Sequence, residues 1–592
     1  ISEALAIAAK INTPSARVDA ALGKARFAQR IGDQRETINA VKRARSDIAS
    51  ARVAGQWEAY ALEARAYAAL GKLDSAEIAG KKAVVAAERV RSRIGTGSLR
   101  TTFMSERSAV YADLVVTLLR LNKRDEAFAV ADGARGRELL EHLAEASRDI
   151  SRRETRNVAD GERLLRQIDE LTRMLNEADR VPQRERASVD EERLNAIAGR
   201  LAKLEGEYES LVTRKSGDLR ALTVSASTTS LQQVQKSLGA DEALIEYMVT
   251  PNRLVIFVAR RNALSQHWSD AGEDDIAGRV RVARGIAAKR EGLGEGDNAV
   301  FRGLDELLIA PIEKSGALKG VKRLVMVPHA ALTYVPFAAL IDARGKYLSD
   351  RYSILHAPSA ASLASIRNSE PPRRRSSHAV VLAPFPDLLP STKREAQDVE
   401  QSLSSSRILI GPRATERALR TALGESPIVH VASHGLLNRR NPLFSRIELA
   451  RPNALSATSA DDGRLDVHEL FGMNIVSSLV FLSGCETGVG SAWSTDFARG
   501  DDFATLAQAF LFSGAREVVA TLWRVDDEAA AAFASAFYRN MKVMPPPEAM
   551  ARAQQEARRN PRMKAPYYWA AYTLSGSGDR LNLEKPWWNP FN

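Results

Sequence analysis

Cys485 is the only cysteine in 592 residues, and it closes an apolar run, Val480-Phe481-Leu482-Ser483-Gly484-Cys485, that continues into Glu486-Thr487-Gly488. A second apolar run, Ile428-Val429-His430-Val431-Ala432, leads through Ser433 into His434 and Gly435. Short apolar runs that stop at glycine-containing turns read as buried parallel strands. In an open α/β sheet, ligands bind in the crevice beyond the carboxyl ends of the strands. Two such strands can bring a thiol and an imidazole to one rim. An imidazole beside a thiol favours the thiolate, which is the reactive form of the sulfur. In that chemistry Cys485 is the nucleophile and His434 the general acid and base. Taken singly, a free cysteine is most often a small buried apolar residue, and a histidine at a strand end is most often just hydrogen-bonded there. Finding both at strand ends is what favours catalysis. His430 alternates onto the same strand face as His434 and reads as structural. A zinc site would need two further ligands that no nearby spacing supplies, so neither a metal nor another cofactor is expected.

The elements that must position these residues follow from the pattern along the chain. At 592 residues it is too long for one ordinary core, and two or three domains are expected. With 45% hydrophobic and 27% charged residues it is globular in composition, and no window approaches the 18 uninterrupted apolar residues of a membrane span. A net charge of +11 could serve an acidic partner or nucleic acid. The basic residues are scattered and mostly offset by Glu and Asp, however, and an Arg- and Ala-rich composition of bacterial style accounts for the excess. A lone cysteine forms no internal disulfide, which fits a reducing compartment, and a cytoplasmic location is expected. The chain opens at Ile1 with no initiator Met and no signal-like segment, which reads as a piece of a longer protein.

Residues 1–150 are Ala-, Leu- and Arg-rich with helical periodicity. Ile31-Gly32 with Ala40 and Ala44 matches Leu70-Gly71 with Ala79 and Ala83 at an offset of 39, and Leu70 to Ala76 with Ala83 matches Leu121 to Ala127 with Ala134 at an offset of 51. Small residues at these points let paired helices approach closely, and Gly or Asn ends the first helix of each pair. The segment resembles tetratricopeptide repeats with lengthened helices, without an intact Trp-Leu-Gly-Tyr signature; a plain helical bundle is the alternative. Residues 151–220 carry two charged amphipathic stripes, Leu164-Ile168-Leu171-Leu175 and Leu194-Ile197-Leu201-Leu204-Tyr208-Leu211, separated around Pro182, which predict an antiparallel helical hairpin.

From residue 221 the pattern changes to strands alternating with helices, which argues for a mostly parallel sheet flanked by helices. Leu244–Tyr247 and Leu254–Val258 around Pro251-Asn252-Arg253 predict a hairpin. Leu324–Val327, Val380–Ala383 and Val518–Trp523 predict further strands, and Phe503–Phe512 and Glu528–Met541 predict helices. The fold class expected is α plus α/β. The polar segment Ser369–Ser377, with its Arg373-Arg374-Arg375 run, divides the sheet region into halves at 221–375 and 376–580.

Ser433-His434-Gly435, then Leu482-Ser483-Gly484-Cys485-Glu486-Thr487-Gly488, then Gly514-Ala515 leading into Leu522-Trp523-Arg524-Val525-Asp526-Asp527, resembles the CHAT family. These are caspase-like domains commonly fused to tetratricopeptide repeats, with separase as a relative. A His about 50 residues upstream of a Cys is also the caspase order and spacing. Further marks are Pro328-His329-Ala330-Ala331-Leu332 with Pro336-Phe337, Leu389-Pro390 with Arg394-Glu395, and Tyr568-Trp569-Ala570-Ala571-Tyr572. Gly484 stands where the family often has Ala, and Arg524 where a small or acidic residue is more usual. The resemblance covers roughly residues 225–580. It implies an oxyanion hole from the backbone N–H groups of Gly435 and Cys485, and a caspase-like sheet over 221–592 whose first half is pseudo-protease-like and whose second half is catalytic. It also implies that an acid after the last core strand, Asp527 or, close behind it, Asp526, pairs with a basic residue before the scissile bond. An Asp at a helix start also caps the helix, so one of the two can cap while the other binds substrate.

The function expected is a cysteine endopeptidase acting on a protein substrate after a basic residue. Its helical repeats would dock that substrate or an activating protein. A non-catalytic signalling scaffold and a nucleic-acid-associated regulator are the alternatives.

Overall fold

The computed structural model describes residues 13–51, 55–91, 97–135, scattered helical positions between 164 and 204, and 230–581 apart from 371–375, 389, 404, 437–444, 453–460, 471–472, 484–500 and 524. The chain divides into two compact units, 1–134 and 135–592.

The first unit is helical: α1 Pro14–Arg30, α2 Gln34–Ala51, α3 Gln56–Ala69, α4 Leu73–Arg91 and α5 Gly97–Arg120, followed by helical residues 124–135. Helix α1 packs on α2 and α3 on α4. The offsets seen in sequence recur in the backbone. Gly32, Gly71 and Asn122 all adopt positive φ, at 80°, 73° and 63°. The residue after each donates its N–H six positions back-counted inclusively: Asp33 to Ala28 O, Lys72 to Tyr67 O and Lys123 to Leu118 O, each at 2.9 Å. This left-handed closure satisfies the orphan carbonyls of the helix end, and Gly or Asn is the residue type that tolerates it. Ala40, Ala44, Ala76, Ala79, Ala83 and Ala127 are all buried, as close helix packing requires.

The second unit holds strands β1 Glu242–Val249, β2 Leu254–Arg260, β3 Ala263–Ser269, β4 Arg323–Val327, β5 Ser353–His356, β6 Ala379–Ala383, β7 Ser406–Ile410, β8 Ile428–Ala432, β9 Gly435–Leu436, β10 Arg446–Glu448, β11 Arg464–Asp466, β12 Leu479–Ser483, β13 Glu517–Thr521 and β14 Tyr572–Gly576. Eleven of them form one sheet in the order β3-β2-β1-β4-β5-β14-β13-β12-β8-β6-β7, and β9, β10 and β11 form a small separate sheet. Neighbours in the large sheet run parallel except β1–β2, β2–β3 and β13–β14. The expected hairpin is β1–β2, closed where Thr250 N–H meets Arg253 O at 2.9 Å.

Four helices matter for the site: α6 Pro390–Ser402, α7 Asp501–Phe512, α8 Asp527–Met541 and α9 Pro546–Arg559. Helix α6 packs on β6, β7 and α8, and α9 packs on α8 and β5. The central strands are fully buried along their length, which is why they read as continuous apolar runs rather than alternating ones. Gly514 precedes β13 at φ +116°, and a Cβ there would stand 2.3 Å from Ile475 O, so only glycine fits that turn. In the region of the expected 151–220 hairpin, the described positions, among them Leu164, Leu171, Ile197 and Leu204, are helical; the pairing of the two stretches lies outside the described residues.

Candidate active site

The two rim strands lie side by side. β12 pairs with β8 in parallel register, with Phe481 opposite His430 and Ser483 opposite Ala432. Ser433 N–H extends the ladder to Ser483 O at 3.2 Å. His434 therefore follows β8 by two residues, and Cys485 comes two residues after the end of β12. Cys485 itself lies outside the described residues, as does its N–H as an oxyanion donor. On the other side of β12, β13 runs parallel to it and ends at Thr521, ahead of Asp526 and Asp527. The candidate residues thus come from the carboxyl ends of three adjacent parallel strands, which stand about 5 Å apart.

His434 is half-buried, and its ring lies 6.2 Å from that of Phe385 at an interplanar angle of 27°. Its carbonyl accepts from Glu448 N–H at 2.9 Å. That bond and the pairing of Gly435 with Ile447 hold the turn between β8 and β9 against β10. The histidine backbone is thereby fixed from both sides while its ring remains partly accessible.

The two aspartates have different surroundings. Asp526 is the N-cap of α8: its Oδ1 accepts from the N–H groups of Glu528 and Ala529 at 3.2 and 3.4 Å. Its Oδ2 faces the Arg290 guanidinium at 3.4 Å, and Arg290 in turn lies over the Tyr567 ring at 5.5 Å. Asp527 is the first helical residue and is half-buried. The connection that carries both is pinned beneath: Trp523 Nε1 donates to Tyr567 O at 3.0 Å, Leu522 N–H to Ala571 O at 2.8 Å, and the buried Arg284 guanidinium to Leu522 O at 2.9 Å. Arg524 lies outside the described residues.

His329, another of the sequence marks, serves the scaffold. Its half-buried ring accepts at Nδ1 from Val249 N–H at 3.1 Å at the end of β1, and desolvation pushes its pKa down to about 3, so it stays neutral and accepting.

Sequence reasoning passed over one polar feature behind the rim. His430 is fully buried, with its ring stacked on Phe481 at 4.9 Å, and both its nitrogens are engaged, by Glu395 and Tyr538. Ser483 donates to the same Glu395 oxygen. The signals were His430, read as structural, and Arg394-Glu395 as a motif mark with no role attached; nothing linked the two.

Residues 298–577 match the CHAT domain. Tetratricopeptide repeat protein 28 of Mus musculus is 26% identical over 333 residues, covering 48% of this chain and 13% of that protein. The Homo sapiens protein of the same name is 25% identical over the same length. The chain thus spans 13% of the length of these curated relatives. Among solved structures, the Saccharomyces cerevisiae separase–securin complex aligns at a TM-score of 0.39 and 10% identity, covering 95% of this chain and 53% of that one. The Arg-specific cysteine proteinase gingipain R aligns at 0.30 and 10%, covering 52% and 75%. The CHAT match begins within the helix Glu295–Leu308 and ends just past β14, so it takes in β4 to β14 and every candidate residue. Residues 298–577 are thus similar to the CHAT domain, and they follow a helical unit, residues 1–134, in the chain.

Proposed function

We propose that the chain is a cysteine endopeptidase that cleaves a protein substrate after a basic residue. The observation that supports this is the convergence of three neighbouring parallel strand ends, which lead into His434, Cys485 and the Asp526–Asp527 pair. In the reaction, His434 takes the Cys485 proton and the thiolate attacks the scissile carbonyl carbon. The resulting oxyanion is held by the N–H groups of Gly435 and Cys485. His434 then protonates the leaving amine, an acyl-enzyme remains, and water activated by His434 releases the acid. Asp527 or, close behind it, Asp526, which also caps α8, holds the basic side chain of the substrate. The helical repeats dock the substrate or an activating protein.

Cys485 is the only thiol, so an active-site-directed alkylating probe has one place to react. Stoichiometric labelling of the active protein is expected, with loss of peptide cleavage in Cys485→Ala and His434→Ala. Substantial cleavage by the Cys485→Ala protein would end this reading.

A further inference from the structure

Four polar side chains from four elements meet in a largely apolar core beneath the rim: Glu395 on α6, His430 on β8, Ser483 at the end of β12 and Tyr538 on α8. None is more than 2% exposed. Glu395 Oε1 accepts the Ser483 hydroxyl and stands 3.2 Å from His430 Nε2. His430 Nδ1 stands 3.1 Å from the Tyr538 hydroxyl. With the carboxylate as acceptor, the hydrogen-bond pattern assigns the His430 proton to Nε2 and makes Tyr538 the donor to Nδ1. Burial and the nearby Glu395 hold the Tyr538 pKa well above 10, so that hydroxyl keeps its proton.

Such a network is costly to bury unless every member is satisfied. The other positions of β8 and β12 are Ile, Val, Ala, Leu and Phe, and such residues would fill the same space without that cost. The members also sit at telling places. His430 precedes His434 by four residues, Ser483 precedes Cys485 by two, and Tyr538 lies on the helix that Asp526 caps. One carboxylate oxygen therefore ties together the two strands that end at the candidate dyad.

We infer that Glu395, His430, Ser483 and Tyr538 are positioning residues that set the ends of β8 and β12 relative to each other, and so set the thiol–imidazole geometry. The inference rests on the Cys485–His434 reading given above. None of the four need touch substrate. Losing one tie lets the strand ends shift by a fraction of an ångström, enough to weaken attack while leaving the substrate pocket in place.

The experiment uses the whole chain with Ser483→Ala, Tyr538→Phe, Glu395→Gln and Glu395→Ala. It reads the native alkylation rate of Cys485 at pH 7 and kcat and KM on a basic-P1 peptide, with thermal unfolding as the control for folding. Ser483→Ala and Tyr538→Phe are expected to fold and to lower both the alkylation rate and kcat by on the order of tenfold to a hundredfold, with KM changed less than about twofold. Glu395→Gln keeps an oxygen where both bonds end and is expected to retain most of the rate that Glu395→Ala loses. Folded Ser483→Ala and Tyr538→Phe proteins with wild-type alkylation and kcat would overturn the inference while leaving the dyad standing. If Ser483→Ala does not fold, Tyr538→Phe decides, because it removes a single hydroxyl. If instead His434→Ala leaves alkylation unchanged and Cys485→Ala still cleaves, the dyad reading itself fails, and the positioning role with it.

Discussion

Asp526 and Asp527 are adjacent, carry the same charge and follow the same strand; Asp526 caps α8, a basic P1 side chain is proposed to pair with Asp527 or Asp526, and three substitutions separate the two roles. Asp526→Ala removes the Oδ1 acceptor from Glu528 and Ala529 N–H, a helix cap worth about 1 kcal/mol. It also removes the pair with Arg290, whose side chain is 63% exposed; a pair that open to water contributes at most about 1 kcal/mol. The expected loss is therefore about 1–2 kcal/mol, read as a fall of a few degrees in the unfolding midpoint. Asp526→Asn keeps an oxygen for the cap and discards the charge, so its stability should stay within about 0.5 kcal/mol of wild type. Neither change should lower cleavage after Arg by more than a few-fold. Asp527→Ala leaves the cap intact but removes the carboxylate proposed to pair with a basic P1 side chain, one half of a pair that bound substrate would desolvate. That loss costs about 2–5 kcal/mol, or roughly 30- to several-thousand-fold in kcat/KM. The assay is cleavage of matched peptides with Arg, Lys, Asp or a large apolar residue at P1, alongside thermal unfolding. If Asp526→Asn abolished cleavage after Arg while Asp527→Ala left it intact, the assignment drawn from the cap would be reversed. A preference for Asp or a large apolar residue at P1 would refute the acidic pocket and leave the Cys485–His434 dyad untouched.

Two further outcomes follow from other parts of the molecule. Glu517 is buried at the start of β13. Its Oε1 accepts from Ser577 and Gly578, while its Oε2 has no hydrogen-bond partner among the described residues, and burial pushes its pKa up to about 8. Folding raises this pKa, so its contribution to stability is fully present below about pH 4.5 and is lost as pH rises toward 8. Glu517→Gln, whose amide replaces the orphaned oxygen, should flatten that slope and stabilise the protein at pH 8 by roughly 3–5 kcal/mol at most; a wild-type unfolding midpoint that does not decline between pH 5 and 8 would contradict it. In the repeats, Ile78 and Val85 lie seven residues apart on one face of α4 and are 57% and 51% exposed. If this face docks protein, Ile78→Glu with Val85→Glu should slow processing of the natural substrate and leave short-peptide cleavage and unfolding unchanged; equal slowing of both substrates would count against docking.

Much of this molecule is governed by local chemistry and can be read along the chain. Repeated helix ends at Gly32, Gly71 and Asn122 need only a residue that accepts positive φ, and their spacing survives intact as equivalent hydrogen bonds. Strands β8, β12 and β13 announce themselves because both faces are buried, which leaves unbroken apolar runs between turns. Strands β3, β5, β7 and β14 escaped that reading. β3 is an edge strand of mixed polarity, Leu264-Ser265-Gln266-His267, and β5 has only four residues. β7 is an edge strand with one buried position among five. β14 lies within an aromatic stretch, and its insertion between β13, to which it runs antiparallel, and β5, to which it runs parallel, joins strands far apart in sequence. That insertion is decided by how the last segment packs, and local propensity carries no information about it. The candidate site divides in the same way. His434 and Cys485 were legible as types at strand ends, and the likelihood that one of the two aspartates caps a helix followed from residue type alone. Which one does so was settled only when α8 began at Asp527, leaving Asp526 outside the helix with its carboxylate turned onto the first-turn N–H groups. Likewise, no sequence pattern links Glu395 to Ser483 and His430; only the packing of α6 against the sheet brings that carboxylate to both strands.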